Sequence, residues 1–387
     1  MDKLHAQPCW HQLRADFFAD GEPAPVLAGL SKTVEDAAIQ AFRQTLAPAG
    51  EISMLAVGGF GRRELFPYSD VDILILVEKE AQAAEIKSPL SEFVRLVWDS
   101  GLRLSHSVRT TAECLEVNEQ NIELSVSLLD RRLLDGSAEL YGKLEAKFPA
   151  FIERQARVLT RHLCQMTRTR HSKFQRTFYH LEPDLKESPG GLRDLHFIEW
   201  LGKLRHSVAD VQERLSPPRF FFQALRCWLH YQAGRDQNLL SFETQHELAQ
   251  QGFMKFGAPA EFMREYFRNA RGIYNEVRRA LDLHERRDSS LLSNFRDWRS
   301  RLSNADFTVS NERVLLRAPA QLESDPELFF RLFEFVARHS LPLAAETERR
   351  LEGGRDAFAR FCESGKPLWP VLRRILSLPR AALGLRA

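Results

Sequence analysis

Residues 57–76 read VGGFGRRELFPYSDVDILIL, and this stretch decides the first half of the fold. The apolar run ISMLAV at 52–57 predicts a strand that Gly58 and Gly59 bring to an end. A second strand follows over 71–77, opened by Asp70 and Asp72. Side chains at i and i+2 of a strand share a face, roughly 6.6 Å apart along it. Two carboxylates so placed are costly to bury without a counter-charge, and the rest of that strand, VDILILV, is too apolar for a solvated edge. The pair therefore calls for a cation. Oxygen ligation by one or two carboxylates, completed by substrate phosphates, is the usual way of holding Mg²⁺ (with Mn²⁺ as a substitute). Bare backbone at Gly58 and Gly59 leaves N–H groups open to a phosphate chain. These residue types in this order predict a triphosphate site for nucleotidyl transfer.

Working outward, Val34, Ala37, Ala38 and Ala41 recur with helical period ahead of the first strand. Leu90, Phe93, Val94 and Val97 predict a second amphipathic helix, which Gly101 stops. GLRLSHSVRT at 101–110 alternates like a strand fit to lie beside the aspartate strand. Residues 1–29, broken by Gly21, Pro23 and Pro25, read as a loosely held arm. Helix–strand mixing ends near 135, and aromatic stripes at helical spacing dominate thereafter. They are Phe221, Ala224, Leu225 and Trp228; Met263, Tyr266, Phe267 and Ala270; and Phe329, Leu332, Phe333 and Val336. Such stripes are core rather than cofactor box. A hairpin is expected at 307–318. The resulting reading is an α+β fold, with an arm at 1–29, a mixed domain at 30–135 and an all-α helical bundle domain at 136–387.

Composition narrows the partners. Fifty-four basic residues balance 52 acidic ones, which argues against a nucleic-acid coat. The basic run RHLCQMTRTRHSKFQR at 161–176 reads as the solvated face of a helix. Five scattered cysteines with no C-x-x-C indicate neither zinc nor a disulfide framework and fit a reducing cytoplasm. No stretch approaches the roughly 20 apolar residues of a membrane span.

The 57–76 segment resembles the active-site signature of the DNA polymerase β-like nucleotidyltransferases, and more narrowly that of the uridylyltransferases acting on the PII nitrogen-signalling protein. YHLEPDLKESPGGLRDLHFIEW at 179–200 resembles the start of that family's helical region. Weaker matches are NLLSFETQHELA at 238–249, EFMREYFRNAR at 261–271 and the stretch around RVLLRAPAQLESDPELFFRLF. The resemblance implies a nucleotidyltransferase domain followed by a helical one. It further implies Mg²⁺ on Asp70 and Asp72, UTP as donor and a tyrosine hydroxyl of PII as acceptor. Another nucleotide or acceptor, or a catalytically silent PII- or nucleotide-binding module, are the rival readings. Full members of the family also carry an HD hydrolase and two ACT domains after the helical region. No His-Asp pair occurs here, so the expectation is a short form that attaches UMP, does not remove it and ignores glutamine.

The remaining candidates stay open at this stage. Ser69 either orients Asp70, touches phosphate or only ends a turn. Arg62 and Arg63 either reach the phosphates or sit at the surface. Lys186 and Arg193, around the turn Pro189-Gly190-Gly191, either grip the triphosphate or belong to a connecting turn whose helix Asp194 caps. A third metal-binding carboxylate, common in the wider superfamily, is missing from LRLSHSVR, where His106 and Ser107 stand mid-strand; Asp99, Glu113 and Asp130 are the acids nearest in sequence.

Overall fold

A computed structural model describes residues 7–117, 122–205, 209–253, 256–288, 302–310, 313–364, 367–378 and 381. The chain is mixed α+β and divides into two compact units, residues 1–274 and 275–387.

The first unit is built on a four-stranded sheet in the order β3-β2-β1-β4. Strand β1 (Ile52–Ala56) runs antiparallel to β2 (Val71–Val77), with Ala56 opposite Ile73. Strand β3 (Leu104–Thr110) lies parallel to β2, with Ser105 opposite Asp72, as its alternation predicted. β4 (Arg132–Gly136), which the sequence did not announce, pairs antiparallel with β1 across a bulge at Met54/Leu55. β2 is buried along its whole length except at Asp72. Its continuous VDILILV run thus reflects cover on both faces.

Helices supply that cover. α1 (Pro8–Asp20) and α2 (Pro23–Thr45) precede the sheet, α3 (Gly58–Gly61) is a single turn, and α4 (Glu80–Glu85) and α5 (Lys87–Asp99) lead into β3. α6 (Thr111–Cys114) and α7 (Ile122–Ser127) come before β4. α8 (Ala138–Lys173), α9 (Leu192–Arg205), α10 (Ala209–Ala233), α11 (Phe242–Gln250) and α12 (Pro259–Asp288) then follow. Val26, Leu30, Val34, Ala38 and Ala41 form the buried stripe of α2.

Residues 8–29 are helical rather than an irregular arm. Proline is tolerated in the first turn of a helix, and here Pro8 and Pro23 occupy that place in α1 and α2. Trp10 and Phe17 bury themselves, Phe17 against Tyr231 and Phe253 with ring centroids 5.8 and 5.7 Å apart. The turn Pro189-Gly190-Gly191 opens α9. Gly190 has φ +81°, and a Cβ there would stand 2.3 Å from the Ala270 carbonyl oxygen. Only glycine fits both constraints. Phe262, Tyr266, Ala270 and Ile273 carry the buried face of α12; of the expected stripe Tyr266 and Ala270 are buried, while Met263 and Phe267 lie at its margin, partly buried. The division after Tyr274 puts α8 to α11 with the sheet, beyond the expected boundary at 135.

The second unit centres on the expected hairpin, β5 (Phe307–Ser310) with β6 (Arg313–Leu316). Its core gathers Phe307, Val314, Phe329, Leu332, Val336 and Leu343. Among the described residues no helix is long and apolar enough to cross a membrane.

Candidate functional site

The β1–β2 connection sets the site. Gly58 begins α3 with φ +56°, and a Cβ built on it would meet Asp72 Oδ2 at 3.3 Å. The Val57 N–H donates to the Asp72 carbonyl at 3.2 Å, so the glycine turn and the second aspartate lie side by side. Gly59 is under no such constraint; its nearest neighbour for a Cβ is the Glu64 carbonyl at 3.5 Å. Alanine at Gly58 is therefore expected to cost about 1–2 kcal/mol for a left-handed backbone, and alanine at Gly59 a few tenths. Melting temperatures of the two variants check this, and equal values would remove the strain argument.

Asp72 is partly buried and faces Ser105 across the β2–β3 ladder. Burial first, then the charge of Asp70, raises its carboxyl above the ordinary value; the Ser105 hydroxyl, Lys186 and Arg193 act the other way. Lys186 is in turn pushed down by burial and by the cations Arg226 and Arg193. The electrostatics thus bring together two aspartates, Lys186 and Arg193 from distant parts of the sequence. Arg193 also reaches Glu187 Oε1 at 3.3 Å. Asp70 is half exposed and pairs with Arg103 Nε at 2.9 Å, while Arg103 Nη2 donates to the Tyr68 carbonyl at 2.7 Å. Tyr68 holds φ +60°. A bulky residue in that region is strained, and here the strain sits two positions before Asp70. Ser69 ends the preceding turn through its N–H, which donates to the Phe66 carbonyl at 3.1 Å, while its Oγ is buried without a hydrogen-bond partner among the described residues.

Asp194 does more than cap. It is fully buried and takes the Gly190 N–H at 2.7 Å, His171 Nε2 at 2.9 Å, and Arg170. Burial opposes its charge, yet Arg170 and His171 hold its carboxyl below the ordinary range. This cluster fixes the turn that carries Lys186 and Arg193.

Arg62 is placed otherwise than as a phosphate ligand. Its Nε pairs with Glu64 Oε2 at 2.8 Å, Nη1 with Asp130, and Nη2 with His196 Nε2 at 3.1 Å. Burial and Arg62 push His196 down to about 3, so it is a neutral ring accepting that bond. Arg63, in contrast, is exposed and turns the loop with φ +60°. Of the acids near in sequence, Asp99 pairs with Arg95 at 2.7 Å, Glu113 closes a capping box with Thr110, and Asp130 is held by Arg62, Trp200 and Lys203. Each is engaged elsewhere. Among the described residues no three His, Cys, Asp or Glu side chains gather as a metal site.

Sequence reasoning missed Arg103, Arg226, His230 and Asp236. Asp236 receives His230 Nε2 at 3.0 Å and Arg226 Nη2 at 3.3 Å, and lies 3.8 Å from Arg103 Nη2. The hydrogen bond from His230, then the charge of Arg226, hold its carboxyl below the ordinary range against burial. Its only signal was a polar turn, GRDQN, after an apolar helix.

The family model for the GlnD PII-uridylyltransferase matches residues 157–281. A bifunctional uridylyltransferase/uridylyl-removing enzyme of Cupriavidus pinatubonensis is 34% identical over 343 residues, which is 84% of this chain and 39% of that protein. Enzymes of the same name from Burkholderia mallei and Burkholderia pseudomallei are 32% identical over 365 residues, 89% of this chain and 42% of theirs. This chain is a relative of the PII-uridylyltransferases. It spans about two-fifths of the length of these relatives. The matched stretch contains Lys186, Arg193, Asp194 and Asp236, and so covers the cationic side of the site as well as its scaffold.

Proposed function

We propose that this chain transfers UMP from UTP to a tyrosine hydroxyl of a PII-type protein and releases pyrophosphate. The observation that carries the reading is Asp72: a desolvated carboxylate beside Asp70, facing Lys186 and Arg193 rather than a packed core. Like-charged carboxylates that share a site raise one another's pKa and favour a bound cation. The pair therefore fits Mg²⁺ or Mn²⁺, which Asp70 and Asp72 would hold with substrate phosphates completing the shell. Such an ion offsets charge at the α-phosphorus and on the departing pyrophosphate. The protein's own part is positioning. Lys186 and Arg193 grip phosphate oxygens, the Gly58–Gly59 backbone leaves room for them, and Arg103 releases Asp70. The tyrosine oxygen then forms its bond to the α-phosphorus as the bond to the β-phosphate oxygen breaks, and the hydroxyl proton passes to solvent. In this reading residues 30–135 form the nucleotidyltransferase domain and the following helices its helical partner.

A second reading, a silent module that binds nucleotide or PII, draws on the lack of a third carboxylate among the described residues. One assay separates them. The chain is incubated with PII, Mg²⁺ and each labelled triphosphate in turn, and covalent label is counted. Label from UTP alone is the expected result. Label from ATP or CTP redirects the donor, and none from any triphosphate, with nucleotide still bound, selects the silent module.

A further inference from the structure

We propose that the acceptor protein docks as an added strand on the outer edge of β3, its tyrosine opposite Ser105 and an acidic side chain opposite Arg109. The inference rests on the uridylyl-transfer reading and adds to it the place and manner of acceptor binding.

The direction of attack comes from the sheet order. In transfer at phosphorus the attacking and leaving oxygens lie roughly in line, on opposite sides. Gly58 stands against Asp72 from the end of β1, and its bare backbone makes room for the departing phosphates. In the order β3-β2-β1-β4 the opposite flank of Asp72 is β3, which is an edge of the sheet. The acceptor oxygen therefore arrives over β3. The other edge, β4, is separated from Asp72 by β1.

The edge of β3 is open. The Val71 N–H donates to the Arg103 carbonyl at 2.8 Å, and Val71 stands opposite Leu104. A parallel ladder engages alternate residues of a strand. Ser105, Ser107 and Arg109 thus bond to β2, while the backbone groups of Leu104, His106 and Val108 point outward. The Val108 carbonyl takes Arg109 Nη1 at 2.9 Å. The backbone groups of Leu104 and His106 and the Val108 N–H have no hydrogen-bond partner among the described residues. Natural sheets blunt their edges with Lys, Pro, bulges or a covering element. β3 runs in unbroken register with no Lys or Pro, and Ser105 and His106 are exposed. Such an edge is a template for strand addition by an extended peptide.

The side chains specify the occupant. Ser105 hydrogen-bonds the Asp72 carboxylate, which sets the odd-numbered side chains of β3 on the reacting face. A strand added at sheet spacing lies about 10 Å from β2. Tyrosine and Asp72 close that gap from either side, with the α-phosphate between them. Arg109 shares this face, four residues on from Ser105, and has no ion-pair partner among the described residues. A carboxylate across the new ladder completes it. The ligand is thus an extended segment with a tyrosine and an acid four residues apart.

The test reads acceptor binding apart from transfer. The full chain, with Mg²⁺ and a UTP analogue blocked at its α,β-bridge, is titrated with PII while amide exchange is followed residue by residue. Exchange at Leu104, His106 and Val108 is expected to slow at least about tenfold. His106→Pro removes one outward N–H and no ladder bond, a place where proline is tolerated. It is expected to bind the analogue as the parent does and PII at least about tenfold more weakly. Arg109→Glu is expected to weaken PII binding about threefold or more. Melting temperatures check both folds, and the exchange arm decides on the parent alone if a variant does not fold. Parental PII affinity in either folded variant overturns the proposal. So does an equal loss in His106→Ala, which keeps the N–H. Protection of the edge with no label transferred by the parent supports the docking and removes the transfer reading. Label transferred to PII with edge exchange unchanged does the reverse.

Discussion

Replacing Asp72 with Asn is expected to lower uridylyl transfer at least about a thousandfold, roughly 4 kcal/mol at the barrier, while making the metal-free protein no less stable. The two effects have one cause. Asp72 holds a charge that burial and Asp70 both disfavour, and its carboxyl is raised above the ordinary 3.8. The folded state therefore binds that proton more tightly than the unfolded chain. This residue's contribution to stability is most favourable at low pH and is lost as pH rises from 3.8 through the folded value. Asparagine removes the penalty at neutral pH together with the metal ligand. Melting curves with and without Mg²⁺ should show a gain on adding Mg²⁺ in the parent, in the presence of UTP, and none in the variant. Activity within tenfold of the parent would take Asp72 out of the metal site.

The second large effect concerns stability. Asp130 is buried and receives Arg62, Lys203 and the Trp200 indole N–H at 2.8 Å. Arg62 in turn reaches Glu64, to which Arg219 Nη1 and Gln223 Nε2 both donate at 3.2 Å. The network joins the loop after α3 to α9 and α10. Asp130→Ala leaves the buried Arg62 with Glu64 as its one carboxylate partner and strands the Trp200 N–H, and breaking a buried pair from one side costs about 3–5 kcal/mol. Removing both partners, as in Asp130→Ala with Arg62→Met, should recover much of that loss, because no buried charge is left alone. Urea unfolding of the three proteins checks the sign and size of the coupling. A single-variant cost below about 1 kcal/mol would mean that water reaches the network.

What was legible in the sequence and what was not follows from range. The strands over 52–57 and 71–77, the glycine turn and the β2–β3 pairing were all readable, because each is fixed by a local pattern of period two with its stop signals. Arg62 was misplaced because its partners, Asp130 and His196, lie 68 and 134 positions away. No local pattern tells a buried arginine from a phosphate ligand. α1 was read as an arm because its only buried side chains are two aromatics with distant partners, Trp10 with Tyr68 and Phe17 with Tyr231 and Phe253. Asp236 was invisible for the same reason. Its importance comes from Arg103 and Arg226, not from its neighbours in the chain. Asp194, by contrast, was correctly tied to its turn, since Gly190 is only four residues away.

The burial of Phe17 against Tyr231 has a consequence for the chain as it leaves the ribosome. Synthesis is vectorial, and local helices form long before distant contacts are available. Phe17 of α1 must wait for roughly 200 further residues before Tyr231 exists. Until then Trp10 has Tyr68, with ring centroids 6.0 Å apart, but Phe17 lacks both Tyr231 and Phe253. The sheet, complete once β4 has emerged, can assemble well before α1 is clasped. A nascent chain arrested before residue 231 should thus hold a formed sheet and a first helix whose Phe17 is still uncovered, a state in which chaperones find their footing and proteases their first cut.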